Sequence, residues 1–154
     1  MRILLVLLLC SMGRGSASTT IVSSDEQFEK TIIMSPNVWA VLFISKTREA
    51  DEAKKVMVQV EAVVPGLSMA EADVDDVKAF ASEFNVRKRM VPRLLLYVSR
   101  ARQASIIKLG EGPLDANEVL QAVKEAVADN SERDADGKLL KLTLAIGATG
   151  SDEL

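Results

Sequence analysis

Apolar and polar positions change period several times along the chain, and each change marks an element. Val38-Trp39-Ala40-Val41-Leu42-Phe43-Ile44 is a nearly unbroken apolar run of strand formers, set off by Pro36-Asn37. It predicts a strand buried on both faces. From Glu49 to Val63 the period lengthens: Ala53, Val56, Met57, Val60 and Val64 recur at three and four with charges between them. That is an amphipathic helix, and Pro65-Gly66 ends it. Leu67 to Val74 alternates apolar and polar and predicts a strand. Asp75 to Phe84 predicts a short helix with Val77, Phe80, Ala81 and Phe84 inward. Leu94 to Val98 is a second buried strand, and Ser105 to Leu109 suits an antiparallel partner across a polar turn. Asp115 to Ala128 predicts a closing helix with Val119, Leu120, Val123 and Val127 inward. Ahead of all these, Asp25 to Ile32 has near-helical spacing of Phe28, Ile32 and Ile33, with Ser23 or Ser24 placed to cap it. Early alternation and a late hairpin predict an α/β fold: a mixed central sheet with helices on both faces.

The two ends carry a different kind of signal. Arg2 precedes the apolar run Ile3–Cys10, and small residues follow, with Gly15, Ser16 and Ala17 at cleavage positions. This is the layout of a secretory signal peptide, and the run is about half of the roughly 20 residues a bilayer span needs. The chain ends Ser151-Asp152-Glu153-Leu154, which resembles the tetrapeptides read by the luminal retrieval receptor. Gly147 to Gly150 supplies a flexible lead-in. The two signals together imply a soluble resident of the endoplasmic reticulum lumen. The expected organisation is a signal peptide at 1–17, a domain at 18–130 and a C-terminal extension at 131–154.

Composition narrows the chemistry. Without Arg2 and Arg14 the 19 basic residues become 17 against 22 acidic ones, and the net charge falls from −3 to −5. That disfavours nucleic acid, which needs a basic face. The single cysteine, Cys10, lies in the expected signal, and there is no histidine. Thiol chemistry and thiolate or imidazole metal sites are therefore not expected of the mature chain, and no cofactor is implied. Glu132 to Lys138 has a hint of a calcium loop, but Thr143 stands where a bidentate Glu should be; an acidic turn is the simpler expectation.

The element order and two local strings resemble the thioredoxin fold, most closely a protein disulfide isomerase domain. In that family a buried strand leads to a Cys-x-x-Cys motif at a helix start. Val41-Leu42-Phe43-Ile44-Ser45 leads at the same spacing to Ala50-Asp51-Glu52-Ala53-Lys54-Lys55, so Ala50 and Ala53 stand at the cysteine positions. Val91-Pro92-Arg93-Leu94-Leu95-Leu96-Tyr97 is similar to the family's cis-proline and following strand, over a resemblance that runs from Thr20 to Asn130. It departs at Val86–Met90, about two residues longer than the family pattern. Ile44 occupies the place of a buried carboxylate that serves the cysteines in the family. Burying a carboxylate costs free energy and is worth keeping only where it works, so the apolar residue agrees with the missing thiols.

The resemblance implies a redox-inactive relative of the protein disulfide isomerases that assists folding or quality control without exchanging disulfides. Ala50, Asp51, Glu52, Ala53, Val91 and Pro92 would form a shallow groove for extended polypeptide or a luminal folding factor, with strand-like pairing beside the proline. The same residues also suit a plain helix start, with two alanines as helix formers and two acids facing the dipole. Arg87, Lys88, Arg89, Arg93, Arg100 and Arg102 crowd the proline strand, either as a rim for an acidic partner or as a solvated turn. In the extension, Leu140, Leu142, Leu144 and Ile146 alternate with Lys141, Thr143 and Ala145. This predicts a strand with one apolar face, packed on the body or holding a dedicated partner; the latter defines an alternative, a structural or adaptor subunit.

Overall fold

The computed structural model describes residues 19–99, 105–107, 114–128 and 132–142. The expected signal peptide, the Ser151–Leu154 ending, Arg100 and Arg102 lie outside these residues, as do positions 143–146. The strands are Thr20–Val22 (β1), Trp39–Ile44 (β2), Ser68–Asp73 (β3), Arg93–Tyr97 (β4) and Ser105–Ile107 (β5). Among the described residues they form one sheet in the order β1-β3-β2-β4-β5. β2 and β3 run parallel, as do β1 and β3, whereas β4 is antiparallel to both β2 and β5. The antiparallel partner expected from Ser105 onward is in place.

Helices cover both faces. Asp51–Val63 (α2) and Ala116–Val127 (α4) lie on one, where Ala53, Val56, Met57, Val60, Val119 and Val123 meet Val38, Ala40, Leu42, Leu94 and Leu96. On the other face Asp25–Phe28 (α1) and Lys78–Glu83 (α3) bring Phe28, Val77, Phe80 and Ala81 against Val41, Phe43, Leu95 and Tyr97. Alternate residues of β2 and β4 thus feed opposite cores, which is why both runs are apolar throughout. Phe28 stacks on Phe80 at 4.6 Å and meets Phe43 and Tyr97 at 5.8 Å. The Tyr97 hydroxyl is buried among these rings without a hydrogen-bond partner, and desolvation, with a smaller push from Glu83, raises its pKa well above the usual tyrosine range.

Three expectations are corrected. β1 was not foreseen, because three residues carry no period; it pairs with Ala70–Ala72 and turns β3 into an internal strand. The alternation of β3 would suit one polar face, yet Ser68 and Asp73 are buried with the apolar positions. The helix expected from Asp75 begins at Lys78, after a turn in which the Asp73 carbonyl accepts from Asp76 and Val77 N–H. Its amino end is capped by a different helix: the Asp25 carboxylate accepts from Ala79 and Phe80 N–H.

α1 begins as expected, with Ser24 Oγ accepting from Gln27 N–H and Gln27 Oε1 accepting from Ser23 N–H. It then widens into a π turn over Glu29–Ile33. The carbonyls at that end receive a proton donor from far along the chain: Lys141 Nζ donates to Ile32 O at 2.6 Å and Ile33 O at 3.3 Å. A cation at a helix carboxyl end complements its dipole.

Lys141 belongs to a strap, residues 132–142, that crosses the amino ends of β2 and β3. Leu139 N–H donates to Gly66 O, Val38 N–H to Leu139 O, Lys141 N–H to Pro36 O and Leu142 N–H to Val98 O. Leu139 enters the α2–α4 core. The expected apolar face, Leu140 and Leu142, is not the face that packs. Leu139 and Lys141 are buried while Leu142 is exposed, because the main-chain bonds to Gly66, Val38 and Pro36 set the opposite register. Gly66 is required twice here. Its φ is +87°, and a Cβ would meet the Arg133 guanidinium and Gly137 O. The acidic segment forms a turn whose Asp134 Oδ1 accepts from Asp136 and Lys138 N–H, while Oδ2 accepts from Asn37.

Candidate functional site

The opposite end of the sheet carries the loops singled out in the sequence. Ile44 lies across from Asp73 and Phe43 from Arg93, so the loop leaving β2 emerges between the end of β3 and the entry to β4. The turn Ser45–Arg48 is closed by Arg48 N–H to Ser45 O, with Ser45 Oγ 2.9 Å from Thr47 Oγ1. α2 follows. Its cap residue Ala50 has no side-chain cap, Asp51 and Glu52 stand exposed in the first turn, and Ala53 is buried. The acids face the positive end of the helix dipole, and Glu52 also pairs with Lys55 at 2.7 Å.

On the other side, the peptide bond between Val91 and Pro92 is cis, Val91 is buried and Pro92 half-buried. Val86 anchors in the core, and Lys88–Met90 forms a 3-10 turn ahead of the proline. The two loops are tied directly. Arg48 Nη1 donates to Arg89 O at 2.7 Å and to Val91 O at 3.2 Å. Ala50–Ala53 and Val91–Pro92, chosen on spacing and resemblance, thus flank one contact between loops, and Arg48 makes it. Arg87, Lys88 and Arg89 are exposed on the proline side. The ion pair between Lys88 and Asp75, 2.9 Å, spans the rim of a shallow depression of about 490 Å³ beside α3. The Lys88 ammonium, its hydrogen bond foremost, holds the Asp75 carboxyl below the usual range.

Two acidic residues of the site were missed in the sequence. Ile44 is half-buried against the α2–α4 core, but a carboxylate is buried one strand away. Asp73 is 5% exposed; its oxygens accept from Lys46 N–H at 2.7 Å and Asp75 N–H at 2.8 Å. It staples the turn after β2 to the turn after β3. Glu71, two residues back on the same face, pairs with Lys54 of α2 at 3.2 Å. The apolar–polar alternation of β3 hid both, although an Asp ending a strand before a turn was the available signal. Replacing Asp73 by Ala leaves two main-chain donors without their acceptor. We expect a loss of roughly 2–3 kcal/mol in urea unfolding, with Asp73→Asn recovering part of it. A loss under about 0.5 kcal/mol would show that water replaces the carboxylate and that the staple is dispensable.

Among the described residues no group of three or more acidic, histidine or cysteine side chains is placed to hold a metal ion, and no helix is long and apolar enough to cross a membrane.

No protein-family model matches the chain, and no curated protein matches it significantly. Solved structures do. Thioredoxin of Malassezia sympodialis superposes with a TM-score of 0.56 at 16% identity, covering 71% of this chain and 91% of that one. Thioredoxin of Trypanosoma brucei brucei gives 0.56 at 17%, covering 77% and 98%. Mitochondrial thioredoxin 3 of Saccharomyces cerevisiae gives 0.53 at 14%, covering 70% and 94%. At such identities the likeness concerns architecture, and by that architecture this chain has a thioredoxin-like fold.

Proposed function

We propose that the protein is a polypeptide-binding, redox-inactive relative of the protein disulfide isomerases that works in the lumen of the endoplasmic reticulum. The observation that carries this reading is the pairing of two loops without a thiol between them. Ala50 and Ala53 occupy the helix start, the cis Val91–Pro92 bond lies across from it, and the only cysteine of the chain is Cys10. Such a site has no group to exchange a disulfide. What it retains is the main chain of Val91 beside the cis bond, which an extended segment can engage through backbone pairing once Arg48 releases its carbonyl. The luminal location rests on the apolar amino-terminal run and the Ser151–Leu154 ending, through which the retrieval receptor would be a second partner.

The adaptor reading, in which the segment Leu139–Ile146 makes the contact, is less well supported. Leu139 and Lys141 are turned into the body, and the main chain from 139 to 142 is bonded to Pro36, Val38, Gly66 and Val98. The described half of that segment already has an occupant.

A backbone NMR titration of the signal-less chain with a reduced, permanently unfolded polypeptide tests the proposal. Shifts are expected at Ala50–Ala53 and Val91. Shifts confined to Leu139–Ile146, or none, would exclude the groove.

A further inference from the structure

The groove just proposed is not open. The Val91 carbonyl, the acceptor beside the cis bond that an extended chain would pair with, is already accepting from Arg48 Nη1. The same nitrogen donates to the Arg89 carbonyl, so one guanidinium spans the proline loop and ties it to the loop before α2. The Arg48 side chain is otherwise exposed, and among the described residues it is anchored by main-chain oxygens and not by a carboxylate. A guanidinium binds a carboxylate through two parallel bonds between ionised groups, a forked fit that two neutral carbonyls sharing one nitrogen do not offer. Its present partners are therefore the weaker kind.

The surroundings carry both signs, one on each side of the contact. The proline side of the contact exposes Arg87, Lys88 and Arg89, and the α2 side exposes Glu49, Asp51 and Glu52. Of these, Lys88 is partnered by Asp75 and Glu52 by Lys55. An extended segment lying along the proline loop thus has Arg87 and Arg89 on one side and Glu49 and Asp51 on the other, and the group that sets its preference is the guanidinium already in its path, Arg48.

We propose that Arg48 is a latch on the groove and its selectivity residue: a segment with an acidic side chain draws the guanidinium away from Val91 O, and the freed carbonyl then pairs with the segment's backbone. This rests on the groove reading and adds the class of client, acidic extended polypeptide. A neutral segment must break the same contact without compensation and binds more weakly.

The test uses two fluorescein-labelled unfolded peptides, identical except for Glu in one and Gln in the other, titrated by anisotropy against wild type, Arg48→Ala and Arg48→Lys. Wild type should prefer the Glu peptide by about three- to ten-fold, the range of a partly exposed charge pair, and salt should erode the preference. Arg48→Ala should bind the Gln peptide more tightly than wild type does and lose most of the preference. Arg48→Lys keeps the charge but lacks the planar fork, so it should bind the Gln peptide like Arg48→Ala while retaining a preference for Glu. Binding of both peptides to wild type with an affinity ratio unchanged in Arg48→Ala would overturn the latch and leave the groove standing. No binding to any variant would remove the groove and the latch together.

Discussion

Leu139→Ala should lower the stability of the whole domain by about 2–4 kcal/mol, although the residue lies in what the sequence presents as an extension. Its side chain is 2% exposed and packs into the same core as Val38, Val64 and Leu67. Truncation leaves a cavity bounded by three different segments that cannot close together. Cutting the chain after position 131 should cost more, because it also strands Gly66 O, Pro36 O and Val98 O and removes Lys141 from the end of the π turn. The measurement is the urea midpoint at constant m-value. An unchanged midpoint in both variants would mean that the strap does not dock in solution, and would restore 139–146 as a surface for partners. The strap should also loosen in acid. Lys138 N–H, then Asn37, hold the folded pKa of Asp134 below its ordinary value. Its contribution is present above the unfolded pKa and disappears as pH falls through the lowered folded one.

Phe28→Ala is expected to be the most damaging single substitution in the chain, about 3–5 kcal/mol. Phe28 is fully buried where α1, α3, β2 and β4 meet, in contact with the rings of Phe43, Phe80 and Tyr97. Aromatic pairs add to the area term, so the loss exceeds that of an aliphatic residue of similar burial. The consequence reaches α3, whose amino end is capped by Asp25 from the helix that Phe28 anchors. Thermal unfolding followed by far-ultraviolet circular dichroism should show a single lowered transition. A second, early transition would mean that α1 and α3 detach as a unit while the α2–α4 face persists. A loss under about 1 kcal/mol would contradict the packing.

The sequence by itself determined the elements that bury a continuous face. β2 and β4 were legible because strands covered on both sides are apolar at every position, and α2 and α4 because one apolar stripe recurs at three and four. Pro92 and the paired alanines were singled out by resemblance to the thioredoxin fold, and the structure ties their two loops together through Arg48. Tertiary structure alone decided what depends on which segments come to lie together. β1 has no period of its own and exists because β3 offers it an edge. Asp73 and Glu71 read as the polar face of a strand until β1 makes that strand internal; Asp75 N–H meets Asp73 locally, but Lys46 N–H and Lys54 arrive from elsewhere. The strap's register is set by main-chain acceptors at Gly66 and Pro36, which local alternation of leucines does not encode, and so Lys141 is buried where Leu142 was expected. Arg48 belongs to the same class: an exposed arginine in a turn becomes the contact between two loops only when folding places the Val91 carbonyl within its reach. Periodicity reports how much of a segment is covered, whereas hydrogen bonds between distant segments report by what, and that second quantity has no local signature.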